Sequence, residues 1–183
     1  MNEQGYLETK DVYLRHFKEK DLDDIFAYSS IPGVGEDAGW KHHVSKDVTK
    51  AVLYNYFLIN DGCVAIVSKK NRHVIGSISM TKDSSLCQDF KGMKCFELGY
   101  VLHPRYQNKG IVSDVVKTLT EYVFSHKKAD VLLISCHKDN IASRKVATKN
   151  GFVRYKILED IYFPAIDEFR TQYCYFLENN QKR

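Results

Sequence analysis

Four groups of residues in this 183-residue chain have the types and spacing to do chemistry. The first is the run Gln107, Asn108, Lys109, Gly110, Ile111 and Val112. Its glycine opens a helical pattern, and the first turn of a helix leaves N–H groups without intrahelical acceptors. With the helix dipole behind them, these amides suit an anion. The second is Glu97, which alternates with Phe96 and Leu98 along FELGYVL. A carboxylate among apolar strand residues is expected to hold its proton more tightly than in water, which suits a general base working near neutrality. The third is Asn140 with Ser143, three apart and therefore on one face of a helix's first turn. The fourth is Trp40 with His42 and His43, downstream of the acidic pair Glu36 and Asp37. An indole face attracts a cation such as an ammonium group. Adjacent histidines diverge on regular backbone, and no third ligand stands near them, so no metal site is expected. Each group also has a plain structural reading: a glycine that ends a loop, an ion-paired acid, an N-cap with a solvated serine, and a tryptophan that anchors a core.

The elements that must position these residues follow from hydrophobic period. Phe96, Leu98, Tyr100 and Leu102 recur every second residue, the strand spacing, and Pro104 ends that strand near His103. After Gly110 the period changes, and Ile111, Val115, Val116, Leu119, Tyr122 and Val123 fall on one helical face. The run 131–134 is apolar on both faces, as an interior strand lying parallel to its predecessor across a helical crossover would be. Asp139 or Asn140 caps the next helix, which carries Ile141, Ala142, Val146 and Ala147 and stops at Gly151. Earlier in the chain, 12–17 reads as a strand, with Asp21 as N-cap of a helix bearing Leu22, Ile25 and Phe26. Residues 30–39, with Pro32 and three glycines, read as an irregular loop. Ser45 caps a helix whose apolar residues include Val48, Val52, Leu53, Tyr56 and Phe57. Residues 63–67 and 74–80 form a hairpin pattern, and 83–92 is polar without evident regular structure. Residues 153–161 and 169–177 read as two long strands joined around Pro164. The whole predicts one domain, 1–183, of mixed α/β type with one parallel pair at the centre of the sheet.

The first group resembles the Q/R-x-x-G-x-G/A pyrophosphate signature of the GNAT superfamily of acetyl-CoA-dependent N-acetyltransferases, with Val112 where the signature has a small residue. The longer stretch ELGYVLHPRYQNKG, 97–110, is similar to the Rim-type branch, which acetylates the N-termini of ribosomal proteins. The resemblance implies a GNAT-like sheet, mixed and mostly antiparallel, with one central parallel pair that splays, flanked by helices. It implies acetyl-CoA as cosubstrate, with its pyrophosphate on the amides of Gln107 to Val112. A main-chain amide among Tyr100, Val101 and Leu102 would polarise the thioester carbonyl. Glu97 takes the part of the base, and a water chain or the 36–43 acids and histidines are its alternatives. Asn140-Ile141-Ala142-Ser143 is similar to the branch's N-x-x-S element, in which the Asn contacts pantetheine and the Ser approaches the sulfur as general acid. Trp40 and His42, with Glu36, fall where the branch has an acceptor-side W-x-x-H-like element.

Composition bounds the alternatives. A chain 44% hydrophobic and 27% charged is of ordinary globular type, long enough to bury a sizeable core. The net charge of +4 suits anionic ligands, while the dispersed lysines lack the clustered basic face of a nucleic-acid binder. Five cysteines without C-x-x-C spacing point to free thiols in a reducing, cytoplasmic setting. No apolar run reaches membrane-spanning length, and no signal-peptide pattern opens the chain. The resemblance implies a primary amine as acceptor, first a peptide or protein N-terminus and second a small amine or polyamine. A non-catalytic acyl-CoA-binding module would share the same anion turn. The resemblance allows a homodimer, although nothing in the sequence itself signals one.

Overall fold

The computed structural model describes residues 7–180. Its main elements are β1 (Val12–Arg15), α1 (Leu22–Ser29), α2 (Lys46–Val52), β2 (Cys63–Ser68), β3 (Val74–Thr81), β4 (Cys95–Leu102), α3 (Ile111–Ser125), β5 (Val131–His137), α4 (Ile141–Lys149), β6 (Val153–Phe163) and β7 (Glu168–Glu178). The seven strands lie in one sheet in the order β1-β2-β3-β4-β5-β7-β6. β4 and β5 run parallel, as strands joined through a crossover helix must, whereas β1–β2, β2–β3, β5–β7 and β6–β7 are antiparallel. The mixed, mostly antiparallel sheet with one parallel pair is therefore the predicted one. The chain divides into two compact units, one taking residues up to Ser79 with Tyr100–Val112, the other Met80–Gly99 with the residues from Ser113 onward. The division passes through β4, between Gly99 and Tyr100.

In the first unit Tyr13, Ile25, Tyr28, Leu53, Ala65 and Val67 share a core, with the Phe17 and Phe57 rings stacked 4.3 Å apart. The sequence makes Asp21 an N-cap, but its side chain accepts no cap bond. The carboxylate instead receives Arg15 through Nη1 at 2.6 Å and Nη2 at 2.8 Å, and the Lys18 amide at 2.8 Å. A guanidinium buried at the end of β1 requires a two-pronged acceptor, and that need overrides the cap. Ser45 does cap α2, accepting from the Val48 amide. The helix then widens into a π turn, Leu53–Phe57, closed by a Leu58 amide bond to the Leu53 carbonyl. Val48 and Tyr56, expected on the apolar face, are 39% and 42% exposed.

The second unit is built on Leu86, Cys95, Val131, Leu133 and Cys174, with Phe90, Tyr155 and Phe176 packed around them. The segment read as structureless contains a 3₁₀ helix, Ser85–Phe90, capped by Ser84, because Leu86 and Phe90 drop into this core. Residues 131–134 are fully buried, as an interior strand should be. β5 pairs with β7 along its length, from Val131↔Glu178 to His137↔Gln172. Its parallel register with β4 is three residues long: Cys95↔Val131, Phe96↔Leu132 and Glu97↔Leu133. Leu98 and Gly99 continue β4 beyond that register, as Ile134 and Ser135 continue β5.

Candidate functional site

The first unit holds the anion turn. After β4, Pro104–Tyr106 forms a 3₁₀ turn in which the Gln107 amide donates to the Pro104 carbonyl at 3.1 Å. Gln107 therefore offers no free amide, which removes it from the six donors expected. Its side chain reaches back instead, Nε2 donating to the Leu102 carbonyl at 3.2 Å, and so fastens the turn to the end of β4. Beyond it Asn108 and Gly110 take positive φ of 59° and 80° around Lys109. The amides of Asn108, Lys109 and Gly110 donate to no protein acceptor among the described residues. Those of Ile111 and Val112 open α3, where no intrahelical acceptor exists. Successive amides in a turn of this kind make an anion-binding concavity. A Cβ on Gly110 would meet nothing within 4 Å, so the glycine serves the backbone angle and not a tight fit. Lys109 folds its ammonium onto the Arg105 carbonyl at 2.8 Å, near the Tyr106 ring. Donors in this number and arrangement fit a pyrophosphate.

β4 also fixes which amides face which way. A Cβ on Gly76 would lie 2.2 Å from the Val101 carbonyl oxygen, and the His103 amide donates to Ile75 at 2.8 Å. Val101 and His103 thus turn their main-chain groups toward β3. Because a strand residue directs its N–H and C=O to the same edge and neighbours alternate, Tyr100 and Leu102 direct theirs to the opposite edge. Of the three candidate oxyanion donors, Val101 is the one aimed the wrong way.

The loop before α2 gathers Glu36, Trp40 and His42 but spends the acid internally. Glu36 Oε2 accepts from the Gly33 amide at 2.7 Å, and Oε1 accepts from the His42 amide at 3.1 Å and meets the His42 ring Nδ1 at 2.7 Å. Burial alone would raise the Glu36 pKa, but the His42 ring and these amides hold it down to about 2. The Trp40 ring lies against the Gly35 backbone, where a Cβ would stand 2.4 Å from the indole, and 5.2 Å from the His43 ring. His43 is buried on Thr49, Nδ1 to Oγ1 at 2.9 Å, and burial followed by the charge of His42 lowers its pKa. The two histidines thus serve different partners. A carboxylate depressed from 4.5 to about 2 stabilises the fold fully above pH ~4.5 and loses that effect as pH falls toward 2. Glu36→Gln is expected to cost about 1–2 kcal/mol at pH 7. In urea titrations the gap from wild type should hold to pH 5 and shrink between pH 4 and 2.

The second unit holds Glu97, Asn140 and Ser143. Glu97 is half-buried, and its carboxylate takes two hydroxyl partners that the strand pattern does not show. Oε2 accepts from the Ser84 hydroxyl and Oε1 from the Ser135 hydroxyl, the latter at 2.5 Å. Neither serine is evident from sequence, since they stand 13 residues before and 38 after the glutamate. Asn140 caps α4, Oδ1 accepting from the Ser143 amide at 2.9 Å. Ser143 itself is buried, its hydroxyl hydrogen-bonded to the Cys136 thiol, whose pKa burial raises.

The sequence and the fold both have known relatives. Residues 11–153 match the family described as acetyltransferase (GNAT) domain. YnaD, an uncharacterized N-acetyltransferase of Bacillus subtilis (strain 168), is 27% identical over 179 residues, 93% of this chain and 95% of that protein. The ribosomal-protein-serine acetyltransferase of Escherichia coli (strain K12) is 28% identical over 131 residues, 70% of each chain. Among solved structures, RimL, a ribosomal L7/L12 α-N-protein acetyltransferase in complex with coenzyme A, aligns with a TM-score of 0.77 and 18% identity over 94% of this chain and 97% of that one.

Proposed function

The chain belongs to the GNAT acetyltransferases, which draw acetyl from acetyl-CoA, and we propose that its acceptor is a peptide or protein N-terminal amine, attacked directly in a ternary complex. The observation that carries the reading is the run of unengaged amides at residues 108–110, curved by two positive φ angles. Bound there, acetyl-CoA supplies an acetyl group activated as a thioester. The chain's own residues do the rest. The amides from Asn108 to Val112 hold the diphosphate, and Gln107 keeps the turn tied to β4. Tyr100 and Leu102 supply the main-chain donors that steady the developing oxyanion. Glu97 takes the first proton from the ammonium group, directly or through water. After the nitrogen attacks, its second proton passes by way of the Ser143 hydroxyl, which gives up one proton as it gains another, to the thiolate released when the C–S bond breaks. Asn140 holds Ser143 in the first turn of α4 while contacting the pantetheine arm. Trp40 offers an indole face to the cationic amine, with His42 two residues further along the chain.

Two observations favour a peptide end over a small polycation. Of Glu36 and Asp37, the acids that would recognise a second ammonium, Glu36 is already committed to Gly33 and His42. The Escherichia coli relative is named for acetylating a ribosomal-protein serine. Free thiols at all five cysteines support a cytoplasmic setting.

The test has two parts. Gly110→Ala forces an L-residue into φ 80° and should raise the acetyl-CoA KM about tenfold while leaving kcat within twofold. Wild-type enzyme is then offered serine- and alanine-terminated peptides against spermidine-class polyamines, with acetylated products counted by mass spectrometry. Peptide turnover supports the reading. Turnover of polyamines alone replaces the acceptor, and coenzyme A binding without turnover of any amine leaves an acyl-CoA-binding module.

A further inference from the structure

Resting on the reading of Glu97 as the base, we infer that Ser135 and Ser84 are positioning residues that fix the Glu97 carboxylate. Glu97 is the last residue of β4 in register with β5, opposite Leu133. Paired residues of a sheet share a face, and Ser135 lies two residues beyond Leu133, so its hydroxyl stands diagonally across from the carboxylate. Where the main-chain register stops, the side-chain bond from Ser135 Oγ to Glu97 Oε1, 2.5 Å, takes its place. Ser135 is also the first polar residue after four fully buried apolar ones, and a hydroxyl in such a strand calls for a partner.

Ser84 works from the other side. Its hydroxyl donates to Glu97 Oε2 and at the same time accepts from the Leu86 amide at 3.2 Å, capping the 3₁₀ helix Ser85–Phe90. Each carboxylate oxygen thus has one hydroxyl donor, and together the two fix the rotation of the carboxylate about its last bond. Ionised oxygens accept about two hydrogen bonds each, so each keeps capacity for the proton of an amine or a water. The serines touch neither reactant in this account. They set the direction from which the carboxylate can be reached, which matters because a displacement near 1 Å costs as much as ~100-fold in rate.

The experiment compares shapes with and without the hydroxyl, using acetyl-CoA and a serine-terminated peptide as the probe substrates. Ser135→Val should lower kcat roughly tenfold with both KM values within twofold, and Ser135→Thr, of the same shape but with a hydroxyl, should return kcat to within threefold of wild type. Added to Glu97→Gln, Ser135→Val should change kcat less than twofold, because the group it positions is gone. Ser84→Thr, which keeps both cap and donor, should resemble wild type, whereas Ser84→Ala should lower kcat as Ser135→Val does. If Glu97→Gln cripples turnover while Ser135→Val does not, the positioning role is wrong and the base stands. If Ser135→Val is equally harmful with and without Glu97, the serine acts by another route and the inference is overturned. If Glu97→Gln turns over like wild type, the base reading falls and this inference with it.

Discussion

Glu97→Gln should lower kcat/KM for acetyl transfer by about 10²–10³-fold at pH 7, within the range that a positioned general base supplies. The substitution keeps the shape of the side chain. Its amide can still meet the Ser84 and Ser135 hydroxyls, so the fold and the binding of coenzyme A should be preserved. What is lost is the ability to accept a proton. The loss should therefore shrink as the medium takes over that task. An N-terminal amine releases its proton near pH ~8, so the variant's rate should climb with pH and level off there. A polyamine or lysine-like acceptor would push the levelling to about 10.4. Steady-state assays of thiol release from pH 6 to 10.5 thus test the base and the acceptor class together. A variant that stays within a few-fold of wild type at pH 7 would remove Glu97 from the mechanism.

The sequence shows the frame of this protein well because the frame rests on local signals. Alternation in Phe96, Leu98 and Leu102, the stop at Pro104 and the run 131–134 each act over a few residues, and β4, α3 and β5 follow from them. The caps at Ser45 and Asn140 are equally local and stand as expected. Side-chain partnership across long stretches of chain has no such signature. Asp21 occupies a cap position, yet a buried guanidinium six residues earlier claims its carboxylate. Ser84 and Ser135 are ordinary serines until folding brings both to Glu97. The 3₁₀ helix Ser85–Phe90 is too short to show a period and forms because Leu86 and Phe90 find a core. Glu36 reads as a free acid because nothing in its neighbourhood announces that Gly33 and His42 will turn back onto it. Of the anion turn, the glycine is legible, but the diversion of the Gln107 amide to Pro104 is not.

The second large effect concerns stability. Asp21→Ala should destabilise the protein by about 3–5 kcal/mol, the usual cost of leaving one member of a buried ion pair alone. The Arg15 and Asp21 side chains are 7% and 3% exposed, so water cannot replace the lost partner. The pair is two-pronged, and the same carboxylate also receives the Lys18 amide, so removing it leaves one guanidinium and one amide deprived at once. After the change the His16 carbonyl, 2.9 Å from Nη1, and the Tyr13 side chain still meet Arg15, but neither carries the carboxylate's full charge. For a chain of this size each kcal/mol moves Tm by about 2–4 °C, which gives a fall on the order of 10 °C. Replacing both residues by apolar ones of similar volume should restore much of the loss, because no unpaired charge then remains. Urea unfolding of Asp21→Ala, Arg15→Met and the double variant Arg15→Met/Asp21→Leu measures this directly. If Asp21→Ala costs less than 1 kcal/mol, the pair is solvated in solution and contributes little. If the double variant is as unstable as Asp21→Ala, the loss lies in packing around α1 and not in a stranded charge.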